Sequence, residues 1–153
     1  MSTPEARLAE LGLPVPDVAA PVASYVPAVR TGNHVYTSGQ LPWRDGELPA
    51  TGKVGGDVSV EAATECAQLC ALNAVAAVRS IVGDLSRVVR VVKVVVFVAS
   101  TPDFTGQPQV ANGASELLGK AFGDAGQHAR SAVGVTTLPL DTPVEVELVV
   151  EVS

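Results

Sequence analysis

Ala129-Arg130-Ser131-Ala132-Val133-Gly134-Val135, a turn at Leu138-Pro139-Leu140-Asp141-Thr142-Pro143, and Val144-Glu145-Val146-Glu147-Leu148-Val149-Val150-Glu151-Val152 close the chain as two strand-like runs. In the second run every even position is apolar and Glu stands at 145, 147 and 151, the alternation of a strand with one face on a core. In the first, Val133 and Val135 share one face, while Arg130, Ala132 and Gly134 share the other. If the two runs pair as a hairpin their apolar faces coincide, which predicts Arg130 and Glu145 together on the opposite face. Ala132 and Gly134 are too small to fill space there, so a hollow with a guanidinium at its rim is expected. Such a hollow suits a small carboxylate, because the planar fork of Arg grips it with two parallel charge-assisted hydrogen bonds. The plainer alternative is a structural Arg paired with a Glu on the neighbouring strand.

The rest of the composition narrows the class. A chain of 153 residues has the size of one domain, and one domain over 1–153 is expected, with 1–21 as an N-terminal helix and connector and 22–153 as the core. With 47% hydrophobic but only 17% charged residues, some apolar surface should meet a partner, most simply another copy of the chain. A net charge of −6 and a pI near 4.8, with no basic cluster, argue against nucleic acid. Cys66 and Cys70 fall one helical turn apart in an apolar run, placed to pack as reduced thiols rather than to form a disulfide. The first ten residues lack a basic and then apolar leader pattern, and no uncharged apolar run reaches the ~18 residues a membrane span needs, so a cytoplasmic setting and no membrane partner are expected.

Working back along the chain, residues 4–12 read as a short peripheral helix begun by Pro4 and ended by Gly12, followed by a Pro-rich extended connector. Tyr25 to Arg30 and His34 to Ser38 form an expected hairpin turned at Gly32-Asn33, and Leu41 to Asp57 is a long loop rich in Gly and Pro. Ser59 to Val82 carries helical periodicity, with Asp57 or Ser59 as cap and Gly83 after the end. The β-branched run from Arg87 to Ala99 fits a central strand covered on both faces. Pro108 to Phe122 gives a second helix with an apolar stripe, stopped at Gly123. The order is strand, strand, helix, strand, helix, strand, strand. Two helices cover only one face of a five- or six-stranded sheet, and the other, half-apolar face is a reason to oligomerise.

Tyr25-Val26, Thr37-Ser38-Gly39-Gln40-Leu41-Pro42, Val94 to Val98, Asp103-Phe104, Asn112, Ala129-Arg130-Ser131, Leu138-Pro139 and Val144-Glu145-Val146-Glu147, in this order and spacing, resemble the YjgF or RidA family of reactive-intermediate deaminases, once labelled L-PSP endoribonucleases. The resemblance covers about Val22 to Val152. It implies an α+β, chorismate-mutase-like fold with two helices on one face of a mixed sheet, assembled as a homotrimer with sites in the clefts between subunits. It further implies hydrolysis of enamines and imines such as 2-aminoacrylate to 2-oxo acids and ammonia, with no cofactor and no metal. Arg130 matches the arginine that holds the substrate carboxylate, Glu145 the acid that helps place the water, and Tyr25, Ser38, Gly39 and Ala132 positions that line the cleft. The chemistry asks little more: fix the carboxylate, orient one water and relay a proton.

This chain departs from the family pattern at Ala132, where many members have Cys, at His128, often Pro, and at Ser24, usually Pro, and the stretch 52–57 is longer. Those departures bear on substrate range, and Ala132 motivates the alternative of a trimer that binds a 2-oxo acid without turnover. His128 is a candidate proton shuttle or simply a hydrogen-bonding surface residue, and Asn112 a further candidate for the site. Trp43 either flanks the cleft or pins its Gly-rich loop. Two isolated His and two Cys of one helix give no metal-ligand spacing. Ribonuclease activity is suggested only by the old family label, and the acidic balance weighs against it.

Overall fold

The structure, a computed structural model, describes residues 2–21 and 23–153; Met1, and Val22 at the expected start of the core, lie outside them. Helix α1 spans Pro4–Glu10, strands β1 Ala28–Thr31 and β2 His34–Thr37, helix α2 Val60–Val82, strand β3 Val88–Ala99, helix α3 Gln107–Phe122, and strands β4 Ala129–Val135 and β5 Val144–Val152. Helices α1 and α2 start where a side chain caps them, whereas α3 begins after Gly106 without one. Thr3 Oγ1 accepts from Ala6 N at 3.1 Å to cap α1, and Ser59 Oγ accepts from Ala62 N at 3.1 Å to cap α2. Gly83 and Gly123, with φ of 80° and 61°, take the left-handed residue that ends α2 and α3.

The described strands form one five-stranded mixed sheet in the order β1-β2-β5-β3-β4, an α+β arrangement. This corrects the expected C-terminal hairpin. β4 and β5 do not pair, because β3 lies between them, antiparallel to β5 and parallel to β4. The reason is visible in β3. A long, nearly uncharged strand with backbone groups on two edges needs a neighbour along each. α3 supplies the crossover that brings β4 back parallel on one edge, and the linker 136–143, with a 3₁₀ turn at Pro139–Asp141, carries the chain past the end of β3 to the other.

The register then fixes every face. Val94, Val96 and Val98 of β3 stand opposite Leu148, Val146 and Val144 of β5, all buried under α2 and α3. On the other side of β3 the same three residues stand opposite Arg130, Ala132 and Gly134, so these lie on the helix-covered face. Among the described residues the second layer lies on that face alone. The opposite face carries Val29, Tyr36, Lys93, Val95, Phe97, Ser131, Val133, Glu145, Glu147 and Val149 with no helix over it, and β3 is accordingly half-exposed there rather than covered twice.

α2 is the core helix. By length and composition it could cross a membrane, but 72% of its most apolar window is buried. Its buried positions run almost all round, including Asn73, whose Nδ2 donates to the carbonyls of Leu41 at 2.9 Å and Trp43 at 3.0 Å and so pins the long loop. Cys66 and Cys70 are free and buried as expected; burial, then Glu65, pushes the Cys66 thiol up to about 11, and burial raises Cys70 well above its usual value. α1 is less peripheral than its length suggests. Leu8 is fully buried in the core, and Glu5 Oε1 accepts from the Leu85 backbone N–H at 2.8 Å.

Candidate functional site

The residues singled out in the sequence fall into two clusters, one on each face of the sheet. The first lies on the open face. β5 presents Glu145 beside Gly39, which follows β2, and a hollow there is lined by Ala19, Pro21, Tyr25, Pro27, Gly39, Gln40, Leu41, Trp43, Pro139 and Glu145. Gln40 pairs with Val146 in an isolated bridge, holding Gly39 close to Glu145. That closeness requires glycine: a Cβ at Gly39 would come 2.5 Å from Glu145 Oε2. Burial first, and the neighbouring Glu147 second, raise the Glu145 carboxyl above its ordinary value, so it holds a proton more readily than a surface Glu.

Tyr25 precedes β1 rather than opening it, and is exposed at the mouth of the hollow. Ser38 contributes indirectly. Its Oγ donates to the Val26 carbonyl at 2.6 Å and its N–H to the Pro27 carbonyl at 2.8 Å, which ties the Tyr25 segment against β2 instead of turning the hydroxyl into the hollow. Trp43 answers to both sequence readings, since it lines the hollow while its carbonyl is held by Asn73.

The second cluster is on the helix face, at the outer edge of the sheet. Arg130 leaves β4 toward α3, where Nη1 donates to Asn112 Oδ1 at 2.9 Å and to Ser115 Oγ at 3.2 Å, and Nη2 to the Pro108 carbonyl at 3.4 Å. His128 joins it through Ser115, 2.9 Å from Nε2 to Oγ. Ser115 was not among the residues the sequence suggested. The available signal was its position one turn after Asn112 on the same helix, which places both side chains over one patch.

The expectation that Arg130 and Glu145 share a face is therefore corrected: they stand on opposite faces of the same sheet. The hollow expected beside Ala132 and Gly134 survives only at Gly134, which lines a cavity with Ser100, Phe104, Gln107 and Thr136 but not with Ala132 or Arg130. Ala132 packs against the core, and Gln107 of α3 lies so close that a Cβ on Gly134 would come 2.8 Å from its Nε2. Small residues at 132 and 134 let α3 settle onto the edge strand. Among the described residues no group of three or more His, Cys, Asp or Glu is arranged to hold a metal ion.

Comparison with known proteins places this arrangement. The family model described as "YjgF/chorismate_mutase-like, putative endoribonuclease" matches residues 5–152. The chain is 46% identical over 149 residues to Protein TCP17 of Trypanosoma cruzi, spanning 97% of this chain and 93% of that one. It is 33% identical over 130 residues to the 2-iminobutanoate/2-iminopropanoate deaminase of Escherichia coli (strain K12), spanning 85% and 88%. Among solved structures, the protein Atu1372 of Agrobacterium tumefaciens, described as of unknown function, superposes with a TM-score of 0.93 at 46% identity, covering 98% of this chain and 92% of that one. Nearly the whole length thus matches in both sequence and fold, and the chain belongs to the YjgF/RidA family.

Proposed function

We propose that this protein hydrolyses small imines and enamines derived from amino acids, releasing a 2-oxo acid and ammonia. The observation that carries the reading is the division of labour across the sheet: a held guanidinium on one face, and on the other a half-buried carboxyl with raised proton affinity in a hollow. The name of the Escherichia coli relative, a 2-iminobutanoate/2-iminopropanoate deaminase, supports it. A second copy of the chain that lays its Glu145 hollow against the Arg130 edge of the first completes the site. A homotrimer closes three such clefts with one repeated contact, using the half-apolar open face for part of the interface.

In such a cleft Arg130 holds the carboxylate and fixes the imine carbon beside Glu145. Glu145 takes a proton from water as the oxygen adds to that carbon. It passes that proton to nitrogen to give a carbinolamine, then moves the hydroxyl proton to nitrogen as the carbon–nitrogen bond breaks and the carbonyl forms, leaving the 2-oxo acid and ammonia; an enamine first takes a proton from solvent at its terminal carbon to become the imine. A carboxyl with raised proton affinity suits both halves of that exchange, because it accepts and releases a proton nearer neutral pH than an exposed Glu. Buried reduced thiols fit the cytoplasmic setting this reading assumes.

An enzyme that generates 2-aminoacrylate releases pyruvate faster when this protein is added, and Arg130→Ala removes the gain. No acceleration with any amino-acid-derived imine would rule out the catalytic reading. Ala132, where many family members carry Cys, favours a second reading: an assembly that binds 2-oxo acids without turnover. Calorimetric binding of 2-oxobutyrate with no hydrolysis of 2-iminobutanoate selects that reading; measurable turnover excludes it.

A further inference from the structure

Arg130 is itself held by a chain of polar groups that runs back into the fold. His128 Nδ1 lies 2.6 Å from the Gly126 carbonyl. A carbonyl can only accept, so Nδ1 carries the proton, and in the neutral ring Nε2 is left as an acceptor. The Ser115 hydroxyl, 2.9 Å away, then donates to Nε2, which turns the Oγ lone pairs toward Arg130 Nη1 at 3.2 Å. Each member has one role, and the far end is fixed by the backbone. Gly126 is buried in a 3₁₀ turn pressed on α3, where a Cβ would collide with the Leu118 carbonyl.

A guanidinium has five N–H groups, two of them on Nη1. Asn112 and Ser115 occupy Nη1, so a carboxylate cannot take the end-on fork that pairs Nη1 with Nη2. Nη2 gives one of its two N–H groups to the Pro108 carbonyl at 3.4 Å, so the edge formed by Nε–H and the other Nη2–H is the remaining two-point grip. We propose that Ser115 and His128 are positioning residues that lock Arg130 in the orientation presenting this edge to the ligand carboxylate. The inference rests on the carboxylate-anchor reading of Arg130. Arg is rotamer-rich, and holding it before the ligand arrives lowers the entropy lost on binding.

Calorimetry with 2-oxobutyrate tests the arrangement on the assembled protein, alongside the kinetics of 2-iminobutanoate hydrolysis. Ser115→Ala weakens 2-oxobutyrate binding by roughly 5- to 10-fold, the loss of one such hydrogen bond. It raises KM by a similar factor with kcat little changed, because the lost contact serves bound substrate and transition state alike. Ser115→Thr, which keeps the hydroxyl, restores affinity, and His128→Ala weakens it by less than Ser115→Ala. If Ser115→Ala leaves both Kd and KM unchanged while Arg130→Ala abolishes binding, the positioning role is overturned and the anchor stands. The role also falls if Ser115→Thr behaves as Ser115→Ala. If the unaltered protein fails to bind 2-oxobutyrate, or Arg130→Ala binds it normally, the anchor reading fails and this inference with it.

Discussion

Glu145 and Gly39 show how one residue sets the chemistry of another. Gly39→Ala puts a methyl group where the Glu145 carboxyl lies, and the atoms it meets are the far end of a flexible side chain. The carboxyl swings aside at little structural cost, so the expected outcome is a large loss of imine hydrolysis with a melting temperature shifted by no more than a few degrees. The raised proton affinity of Glu145 has its own signature. Where the folded state binds a proton more tightly than the unfolded one, stability falls as pH rises through the interval between the two pKa values. Glu145→Gln removes that contribution. The variant is more stable than the parent at neutral pH, and the gap narrows as pH is lowered toward the ordinary Glu range, a trend that urea unfolding across pH 4 to 8 measures directly. An unchanged or reversed gap contradicts the burial of the carboxyl.

Among the elements, extents and the β1-β2 hairpin were readable from the chain, whereas the neighbours of β4 and β5 were not. Ser59 and Gly83 mark α2, Gly123 ends α3, and the β-branched run from 88 to 99 is β3, because caps and periodicity are local properties. Alternation assigns two faces to a strand but says nothing of which neighbour lies beside it, so β4 and β5 read as a hairpin although β3 separates them. The same gap affected the site. Arg130 and Glu145 stood out as candidates in the family-like pattern, whereas the faces they occupy depended on register with β3. Helix packing depends on a close approach the sequence hides: a Cβ on Gly113 would strike the Thr64 carbonyl of α2. Backbone cannot yield as a side chain can, so Gly113→Ala is expected to cost about 1–3 kcal/mol in denaturant unfolding. Leu8→Ala tests the docking of α1 in the same assay, with an expected loss of about 2–4 kcal/mol because the side chain is wholly enclosed.

At the scale of the whole molecule, the helix-free face carries exposed Val29, Tyr36 and Val133 among its charges, and the proposed assembly covers part of it. Val133→Asp places a charge on that face, and light scattering is expected to show a shift toward the 15.6 kDa monomer together with a parallel fall in turnover. Turnover retained by a fully dissociated variant would contradict a shared cleft. In the proposed assembly, the placement of Arg130 and Glu145 on opposite faces would let two inactive variants repair one another. Unfolded and refolded together in equal amounts, Arg130→Ala and Glu145→Gln subunits are then expected to form mixed trimers. In roughly one quarter of the clefts an intact Arg130 from one parent meets an intact Glu145 from the other. Activity near that fraction, absent from either parent alone, would be complementation between alleles of a single gene. A site contained within one chain could never produce it.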